Sequence, residues 1–419
     1  MRKPDSSGLA SLAIAALTLL VVAGQAAPIR STSSWVATWG AAMMAADFPG
    51  AGPGFTTDTA GLTLREVVHT SVGGRRARIW LSNRFGTQPL HIGAVHIALS
   101  ANQSGIVGVT DHVLTFNHQE SAVVPAGAEI ASDPVAFQIP PLTDIDVSIY
   151  FSDHSHVSTV HADAQQTSYA ANGNVVSAPS LAGRSKPIHC WYVLTGVDVD
   201  APGDSAVIAF GDSITDGWQS TPDGNRRWTD DLAKRLAANI GTNQNGVLGV
   251  VNAGISGNRV LQNDWGPNGV SRVGRDILAR DGARYVILLE GINDIGRFAM
   301  DHRPYGDFPR LLEAGIAQIA LQAHLRGMKV IGGTLTPYRG SAYYSAAGDR
   351  VRRTINEWIR TSPSFDGVAD FDKAVRDPKD PRQFAAQFDS GDHLHPDDAG
   401  YQVMADAIDL HQFSGAHEP

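Results

Sequence analysis

The chain has 419 residues, which at about 150 residues per domain predicts two or three domains, and its 43% hydrophobic and 18% charged residues exclude wholesale disorder. The 33 Lys and Arg residues against 42 Asp and Glu residues give a net charge of −9, and without a basic cluster this balance argues against binding to nucleic acids or to anionic membranes. The single cysteine, Cys190, excludes an intramolecular disulfide framework and a cysteine-based metal cage.

Residues 1–26 have the pattern of a secretory signal peptide. Arg2 and Lys3 precede an apolar run from Leu9 to Ala23, and small residues follow that run. We therefore expect cleavage near Ala26 and a secreted or periplasmic protein with no membrane attachment after cleavage. The alternative is a retained membrane anchor, although the run is shorter than the roughly 20 residues that a spanning helix needs.

Residues 35–198 alternate short apolar runs with turn residues, which predicts an accessory domain built as an antiparallel β-sandwich or jelly-roll. Strands are predicted at 77–81, 94–99, 147–151 and 189–194. Aromatic residues in this region could stack on sugar rings and make it a carbohydrate-binding module. Since aromatic residues of strands more often fill the core, we favour a packing role for Trp35, Trp39, Trp80, Trp191 and Tyr192.

Strands and helices alternate in residues 205–412, beyond an acidic segment at 198–204 that carries a Pro-Gly pair and marks the expected domain boundary. Strands are predicted at 206–210, 247–251, 285–289, 330–335 and 368–371, and helices at 228–240, 310–326, 351–359 and 401–410. This alternation predicts an α/β domain with a parallel sheet covered by helices on both faces. In such sheets ligands bind at the carboxyl ends of the strands.

Polar residues follow three of these strands at their carboxyl ends. Ser213 comes just after the first strand, in a turn that Gly211 allows to be tight. Gly257 lies in the loop after the second strand, and Asn293 follows the third. The backbone N–H groups of Ser213 and Gly257 and the Asn293 amide could converge as an oxyanion hole, a set of donors for a developing negative oxygen.

A histidine loop precedes the last predicted helix. A serine hydroxyl is a weak nucleophile and needs a base, and His395 could be that base with Asp392 three residues earlier as its orienting carboxylate. Pro396 suits the first position of the helix that follows. His393 is predicted to be a neighbour of the site, and without a third histidine or a cysteine nearby we expect no metal site here.

Each of these segments also has a structural explanation when taken alone. Gly-Asp-Ser is a common turn sequence, and a glycine-rich turn after a strand can hold a phosphate, although no dinucleotide or P-loop motif follows it here. Asn293 with Asp294 could be a helix cap. Their occurrence together, in chain order and each at a predicted strand end or helix start, favours a catalytic site.

The four segments resemble the blocks that define the SGNH, or GDSL, hydrolase superfamily. They match at 211–213, Gly257, 291–294 and 392–395, and the one departure is Ile214, where the GDSL motif has Leu. The likeness covers about half of the chain, residues 206–410. It implies a flavodoxin-like three-layer α/β/α fold and hydrolysis of esters without a cofactor.

The resemblance also implies a role for each matched residue. Ser213 is similar to the nucleophile, His395 to the general base and Asp392 to the carboxylate that orients it. The oxyanion hole is implied for the Ser213 N–H, the Gly257 N–H and the Asn293 side chain. Segments at 336–338 and 356–360 look like those of a branch of arylesterases and acylhydrolases linked to xylan breakdown, and some two-domain carbohydrate esterases carry a jelly-roll before the catalytic domain.

The sequence thus predicts an exported serine esterase that cleaves short acyl esters, above all acetyl esters, on small molecules or plant polysaccharides. One alternative is a lipase or phospholipase of the same family. Another, from a different class, is a carbohydrate-binding protein with a minor catalytic role. We expect no cofactor, no metal and no nucleic-acid partner.

Overall fold

The computed structural model describes residues 34–47, 58–152, 155–239, 246–301 and 303–413. The predicted signal peptide lies outside these ranges. The described residues from 34 onward pack into one compact unit. Within the described ranges, no helix has both the length and the apolar composition needed to cross a membrane.

The amino-terminal region consists of β-strands, joined by turns and one short 3₁₀ helix. They are β1 (Trp35–Gly40), β2 (Met44–Ala45), β3 (Leu62–His69), β4 (Gly74–Ser82), β5 (Leu90–Leu99), β6 (His112–Leu114), β7 (Ala122–Val124), β8 (Glu129–Ala131), β9 (Val135–Ile139), β10 (Asp144–Phe151), β11 (Thr159–His161), β12 (Ser168–Asn172), β13 (Ser185–Ile188), β14 (Trp191–Tyr192) and β15 (Leu194–Asp200).

These strands form antiparallel sheets, as the sequence predicted. One sheet has the order β1-β15-β4-β8, with β9 also pairing with β4, and a second has the order β13-β12-β3-β10-β5-β6, with β7 also pairing with β5. A small third sheet has the order β14-β11-β2. Along β10, the buried apolar residues Ile145, Val147 and Ile149 alternate with polar ones, which is the two-residue period of a strand with one apolar face.

The predicted strand at 189–194 is interrupted. Val193 has φ = 51°, a left-handed conformation that is rare for a β-branched residue, and it separates β14 from β15. The Val193 N–H donates to Thr159 O, and its carbonyl accepts from Ser82 N. The chain thus passes from the small sheet to the first sheet at this residue, and a continuous apolar run does not signal such a change.

The carboxy-terminal region has a parallel sheet of β16 (Ser205–Gly211), β17 (Leu248–Gly254), β18 (Ala283–Leu289), β19 (Lys329–Gly333) and β20 (Gly367–Ala369). The order is β17-β16-β18-β19-β20, so β16, the first of these five strands along the chain, lies second in the sheet. This is the flavodoxin-like order 2-1-3-4-5, which confirms the predicted α/β class. The helices are α1 (Ser213–Asp216), α2 (Trp228–Ala238), α3 (Gly269–Val273), α4 (Ile292–Met300), α5 (Phe308–His324), α6 (Ala346–Thr361), α7 (Phe371–Val375) and α8 (Asp398–Asp406).

Two element ends differ from the prediction for local reasons. The last helix, predicted at 401–410 with Pro396 as a suitable first position, spans Asp398–Asp406, because the Asp397 side chain caps it by accepting from Gly400 N at 2.8 Å. The last strand ends at Ala369, and Phe371 opens α7 because Asp370 caps that helix by accepting from Lys373 N. Elements as short as β20 and α7 contain too few residues to show a period of apolar positions, so their ends could not be predicted from the sequence.

The two regions share hydrogen bonds along β1 and β17. Ala37 N in β1 donates to Asp281 O at 2.9 Å, and Val250 N in β17 donates to the Ser71 hydroxyl at 2.9 Å. Whether 35–198 and 205–412 are separate folding domains stays a prediction. Their contact nevertheless attaches the β region to the parallel sheet, at its edge strand β17 and at the segment before β18.

Candidate active site

Ser213 lies at the first position of α1, directly after β16. The Asp212 side chain caps this short helix by accepting from Ile214 N at 3.0 Å, and Gly217 ends it in a left-handed conformation. Ser213 is only 6% exposed. The turn therefore holds the hydroxyl at the carboxyl edge of the sheet, where the alternation of strands and helices predicted a ligand site.

His395 faces Ser213 across the site. Its Nε2 lies 2.8 Å from Ser213 Oγ, although the two residues are 182 positions apart in the chain. Its Nδ1 lies 2.7 Å from Asp392 Oδ2. The three predicted residues therefore form one continuous line of hydrogen bonds from carboxylate to imidazole to hydroxyl.

Asp392 also shapes the loop that carries His395. Its Oδ1 accepts from Leu394 N and His395 N, each at 2.9 Å, and from the Ser390 hydroxyl at 3.1 Å. Burial alone raises the pKa of Asp392, but the hydrogen bonds from His395 and Leu394 and the attraction to the imidazole outweigh it and hold that pKa well below its usual range. The ionised carboxylate fixes the proton of His395 on Nδ1, so Nε2 is free to accept the proton of Ser213.

The expected oxyanion donors follow three neighbouring strands of the parallel sheet, Ser213 after β16, Gly257 after β17 and Asn293 after β18. Within the described part of the chain, the N–H groups of Ser213 and Gly257 donate to no protein acceptor. Gly257 has φ = 75°, and a Cβ there would come 2.7 Å from the Trp265 ring, so the loop requires glycine. Asn293 is buried in the first turn of α4, and its Nδ2 donates to Asn258 O at 3.0 Å, one residue after Gly257. This bond uses one of the two amide hydrogens and leaves the other for a ligand.

The helix-cap explanation of Asn293 does not fit the structure. The cap position of α4 is Gly291, and Asn293 lies inside the helix. Asp294 instead accepts from Val260 N and Leu261 N at 2.8 and 3.1 Å, which fastens the loop beyond Gly257 to α4. Both residues thus tie the start of α4 to residues 255–261, the loop that carries the expected Gly257 donor and that we call the oxyanion loop.

His393 makes a separate pair with Asp389. Their Nδ1 and Oδ2 atoms are 2.6 Å apart, and the His393 side chain is half exposed. Among the described residues, no group of three or more His, Cys, Asp or Glu side chains is arranged to hold a metal ion. The two histidines of this loop therefore bind different carboxylates, His393 that of Asp389 and His395 that of Asp392.

Sequence reasoning missed a buried arginine behind the site. Arg272 is fully buried, and its guanidinium donates to Gly211 O and Ala253 O, each at 2.7 Å, and to Asn258 Oδ1 at 2.9 Å. It thus joins the end of β16, the strand before Ser213, to the end of β17 and to the oxyanion loop. The Glu290 carboxylate lies 3.5 Å from Arg272, and burial raises the pKa of Glu290 to about 8. No motif that we recognised in the sequence marks Arg272, whose partners are the backbone carbonyls of Gly211 and Ala253 and the side chains of Asn258, Asp276 and Glu290.

The aromatic residues of the β region are mainly packing residues. Trp39, Trp191 and Tyr192 are buried, and the rings of Trp39 and Trp191 meet edge to face at 5.0 Å. Trp80 is half-buried and donates from Nε1 to Asp198 at 2.6 Å. Trp35 is half-buried beneath the Arg78 guanidinium. This supports the packing role over a sugar-binding surface built from these five rings.

Comparison with known proteins gives a family match for the carboxy-terminal region. Residues 209–403 match the GDSL-like Lipase/Acylhydrolase family. No curated protein matches the chain.

Solved structures similar to the chain cover about half of it. A G-D-S-L family lipolytic protein from Desulfitobacterium hafniense is 20% identical over 48% of this chain and 97% of its own, with a TM-score of 0.37. Est24, a carbohydrate acetylesterase from Sinorhizobium meliloti, is 17% identical over 49% of this chain and 96% of its own, with a TM-score of 0.37. An aryl esterase from M. smegmatis is 18% identical over 48% and 94%, with a TM-score of 0.37.

Proposed function

We propose that this chain is an exported serine esterase that removes short acyl groups, above all acetyl, from plant polysaccharides. The proposal proceeds from a carboxylic ester hydrolase whose residues 209–403 match the GDSL-like lipase/acylhydrolase family. The observation that carries this proposal is the line of hydrogen bonds from Asp392 through His395 to Ser213, at 2.7 and 2.8 Å. This is the geometry that activates a serine hydroxyl.

In the proposed mechanism, Ser213 attacks the ester carbonyl while His395 Nε2 takes its proton. The imidazolium that forms is stabilised by the ionised Asp392. The negative oxygen of the tetrahedral intermediate accepts from Ser213 N–H, Gly257 N–H and Asn293 Nδ2. His395 then protonates the leaving alcohol, and a water molecule activated by the same imidazole hydrolyses the acyl-enzyme.

The proposal of a short acyl group is supported by the bulk next to the oxyanion donors. The indole of Trp265 lies so close to Gly257 that a single added carbon would clash with it. A large rigid ring at this position favours a small acyl group over a long chain, for which an open apolar slot would be needed.

The proposal of a sugar alcohol is supported by an exposed ring near the nucleophile. Trp218 follows α1, its N–H donates to Ser213 O at 3.0 Å, and 37% of its surface is exposed. An exposed indole one helical turn from the catalytic serine is a surface on which a sugar ring can stack, with its apolar face against the ring.

The test combines a chain-length series with a polymeric substrate. We expect hydrolysis of p-nitrophenyl acetate to be fastest, with rates falling as the acyl chain lengthens, and release of acetate from acetylated xylan. Ser213→Ala should abolish both activities without loss of fold, apart from a residual acceleration of up to roughly 10³-fold over water from the oxyanion donors. Trp218→Ala should slow acetate release from xylan while leaving p-nitrophenyl acetate turnover nearly unchanged.

Other results would replace this proposal with its alternatives. Fastest turnover of long-chain esters or phospholipids would make the protein a lipase or phospholipase. Binding of xylan with no ester hydrolysis would make it a carbohydrate-binding protein. A Ser213→Ala variant with near wild-type turnover would remove the proposed nucleophile.

A further inference from the structure

A histidine of the β region reaches the nucleophile helix. His161, the last residue of β11, places Nε2 2.9 Å from Oδ1 of Asp216, the last residue of α1. Its Nδ1 lies 2.8 Å from Ala42 O. The two side chains are almost completely buried, with His161 3% and Asp216 4% exposed. The helix α1, which carries Ser213, is therefore bound to the β region through the buried contact between His161 and Asp216.

The partners of His161 fix its protonation. The carbonyl of Ala42 can only accept, so Nδ1 carries a proton. Oδ2 of Asp216 accepts from Ser256 N and from the Ser256 hydroxyl, each at 3.0 Å. The contact of Oδ1 with Nε2 favours a proton on Nε2 as well, and we infer a buried imidazolium–carboxylate pair. Burial lowers the pKa of His161, but the attraction and hydrogen bond to Asp216 and the bond to Ala42 O outweigh it and raise that pKa.

Asp216 in turn binds the oxyanion loop through Ser256. Ser256, which it binds through both backbone and side chain, is the residue immediately before Gly257. The end of β17, from which this loop starts, also lies directly against α1, because a Cβ at Gly254 would come 2.3 Å from Asp216 N. The Asp216 carboxylate therefore links the helix that carries Ser213 to the loop that carries the Gly257 N–H.

We propose that His161 is a positioning residue for ester hydrolysis: it holds Asp216 in the rotamer that fixes the oxyanion loop relative to Ser213. The inference rests on the proposed function, in which the Gly257 N–H is an oxyanion donor. It assigns the β region a part in catalysis, because His161, a residue of this region, is the ion-pair partner of Asp216 among the described residues.

The expected defect is in the chemical step. A shift of the loop by a fraction of an ångström lengthens a hydrogen bond that the oxyanion needs only in the transition state, while the ground-state ester loses little. His161→Phe keeps a ring beside Trp191, whose centroid is 5.3 Å away, but removes both donors. We expect kcat to fall by about 10- to 100-fold, with KM changing by less than about threefold.

The chain offers a matched control in His69. This histidine also joins the two regions, with Nδ1 2.6 Å from Asp144 Oδ1 and 3.1 Å from Asn225 Nδ2, and among the described residues neither of these bonds reaches α1 or the oxyanion loop. His69→Phe should lower the melting temperature and leave kcat of the folded enzyme unchanged. A kcat for His161→Phe equal to that of His69→Phe would overturn the proposal, since the role of His161 would then be structural.

A second pair of variants decides the case if His161→Phe does not fold. The amide nitrogen of Gln reaches the position of Nε2, and that of Asn only the position of Nδ1. His161→Gln should therefore restore most of kcat and His161→Asn should not, and equal rates for the two would overturn the proposal. Ser213→Ala measured alongside separates the two levels: an active Ser213→Ala refutes the proposed function, whereas an inactive one with unimpaired His161→Phe refutes only the positioning role.

Discussion

Asp392→Asn isolates the orientation of the catalytic imidazole from the structure of its loop. Asparagine keeps an oxygen that can accept from Leu394 N and His395 N, which Asp392 now binds at 2.9 Å each. At the position of the other oxygen, however, an amide donates to His395 Nδ1 instead of accepting from it. The proton of the imidazole must then lie on Nε2, which faces Ser213 Oγ at 2.8 Å.

The size of the effect follows from this change of tautomer. With a proton on Nε2, His395 has no lone pair directed at the hydroxyl, so the base is absent while the oxyanion donors stay in place. The same substitution in a serine-protease triad costs about 10⁴-fold, and we expect a loss in kcat/KM of about 10³- to 10⁴-fold here, or about 4 to 5.5 kcal/mol of transition-state stabilisation. The melting temperature should change little, because the loop bonds survive.

The assay is steady-state hydrolysis of p-nitrophenyl acetate with melting temperatures measured on the same preparations. Asp389→Asn is the matched control, because Asp389 binds His393 Nδ1 at 2.6 Å and the N–H groups of Gly391 and His393 in the same loop. We expect this control to retain activity within a few-fold. An Asp392→Asn variant that keeps more than about a tenth of kcat/KM, or an equal loss in the Asp389→Asn control, would refute the reasoning.

His395→Ala should be as damaging as Ser213→Ala, with the double variant no worse because the two act as one unit, while His393→Ala should cost much less; steady-state rates of the four variants decide this. Asn293→Ala should slow acylation by about 10²- to 10³-fold in single-turnover experiments, and a destabilised but fully active variant would remove Asn293 from the oxyanion hole. Burial raises the pKa of Glu290 from 4.5 to about 8, so its contribution to the free energy of unfolding is complete below about pH 4.5 and is lost as the pH rises through about 8. Glu290→Gln should therefore lose less stability than the wild type between about pH 6 and 9, and the difference should reach up to a few kcal/mol in urea titrations. Equal losses in the two proteins would contradict a protonated Glu290 carboxyl in the folded state.

The sequence predicted much of the catalytic region because its signals are local. Apolar runs and helical periods predicted the strands that carry Ser213, Gly257 and Asn293 to one edge of the sheet. Asp392 and His395 are three residues apart, so one short loop can bring them together. That Ser213 meets His395 across 182 positions was implied by the family resemblance instead, because His395 lies in the loop before the last helix and not at the end of a strand.

Contacts with no local signal were decided only by the tertiary structure. His161 and Asp216 lie 55 positions apart in regions of different architecture, and nothing in the β11 sequence marks a histidine that will meet the nucleophile helix. Two of the groups that Arg272 binds, Gly211 O and Ala253 O, are backbone carbonyls, which every residue possesses and which therefore leave no pattern in the sequence. Periodicity records which face of an element is apolar, whereas the pairing of two buried polar groups depends on how whole sheets pack, and that is settled only when the chain is folded.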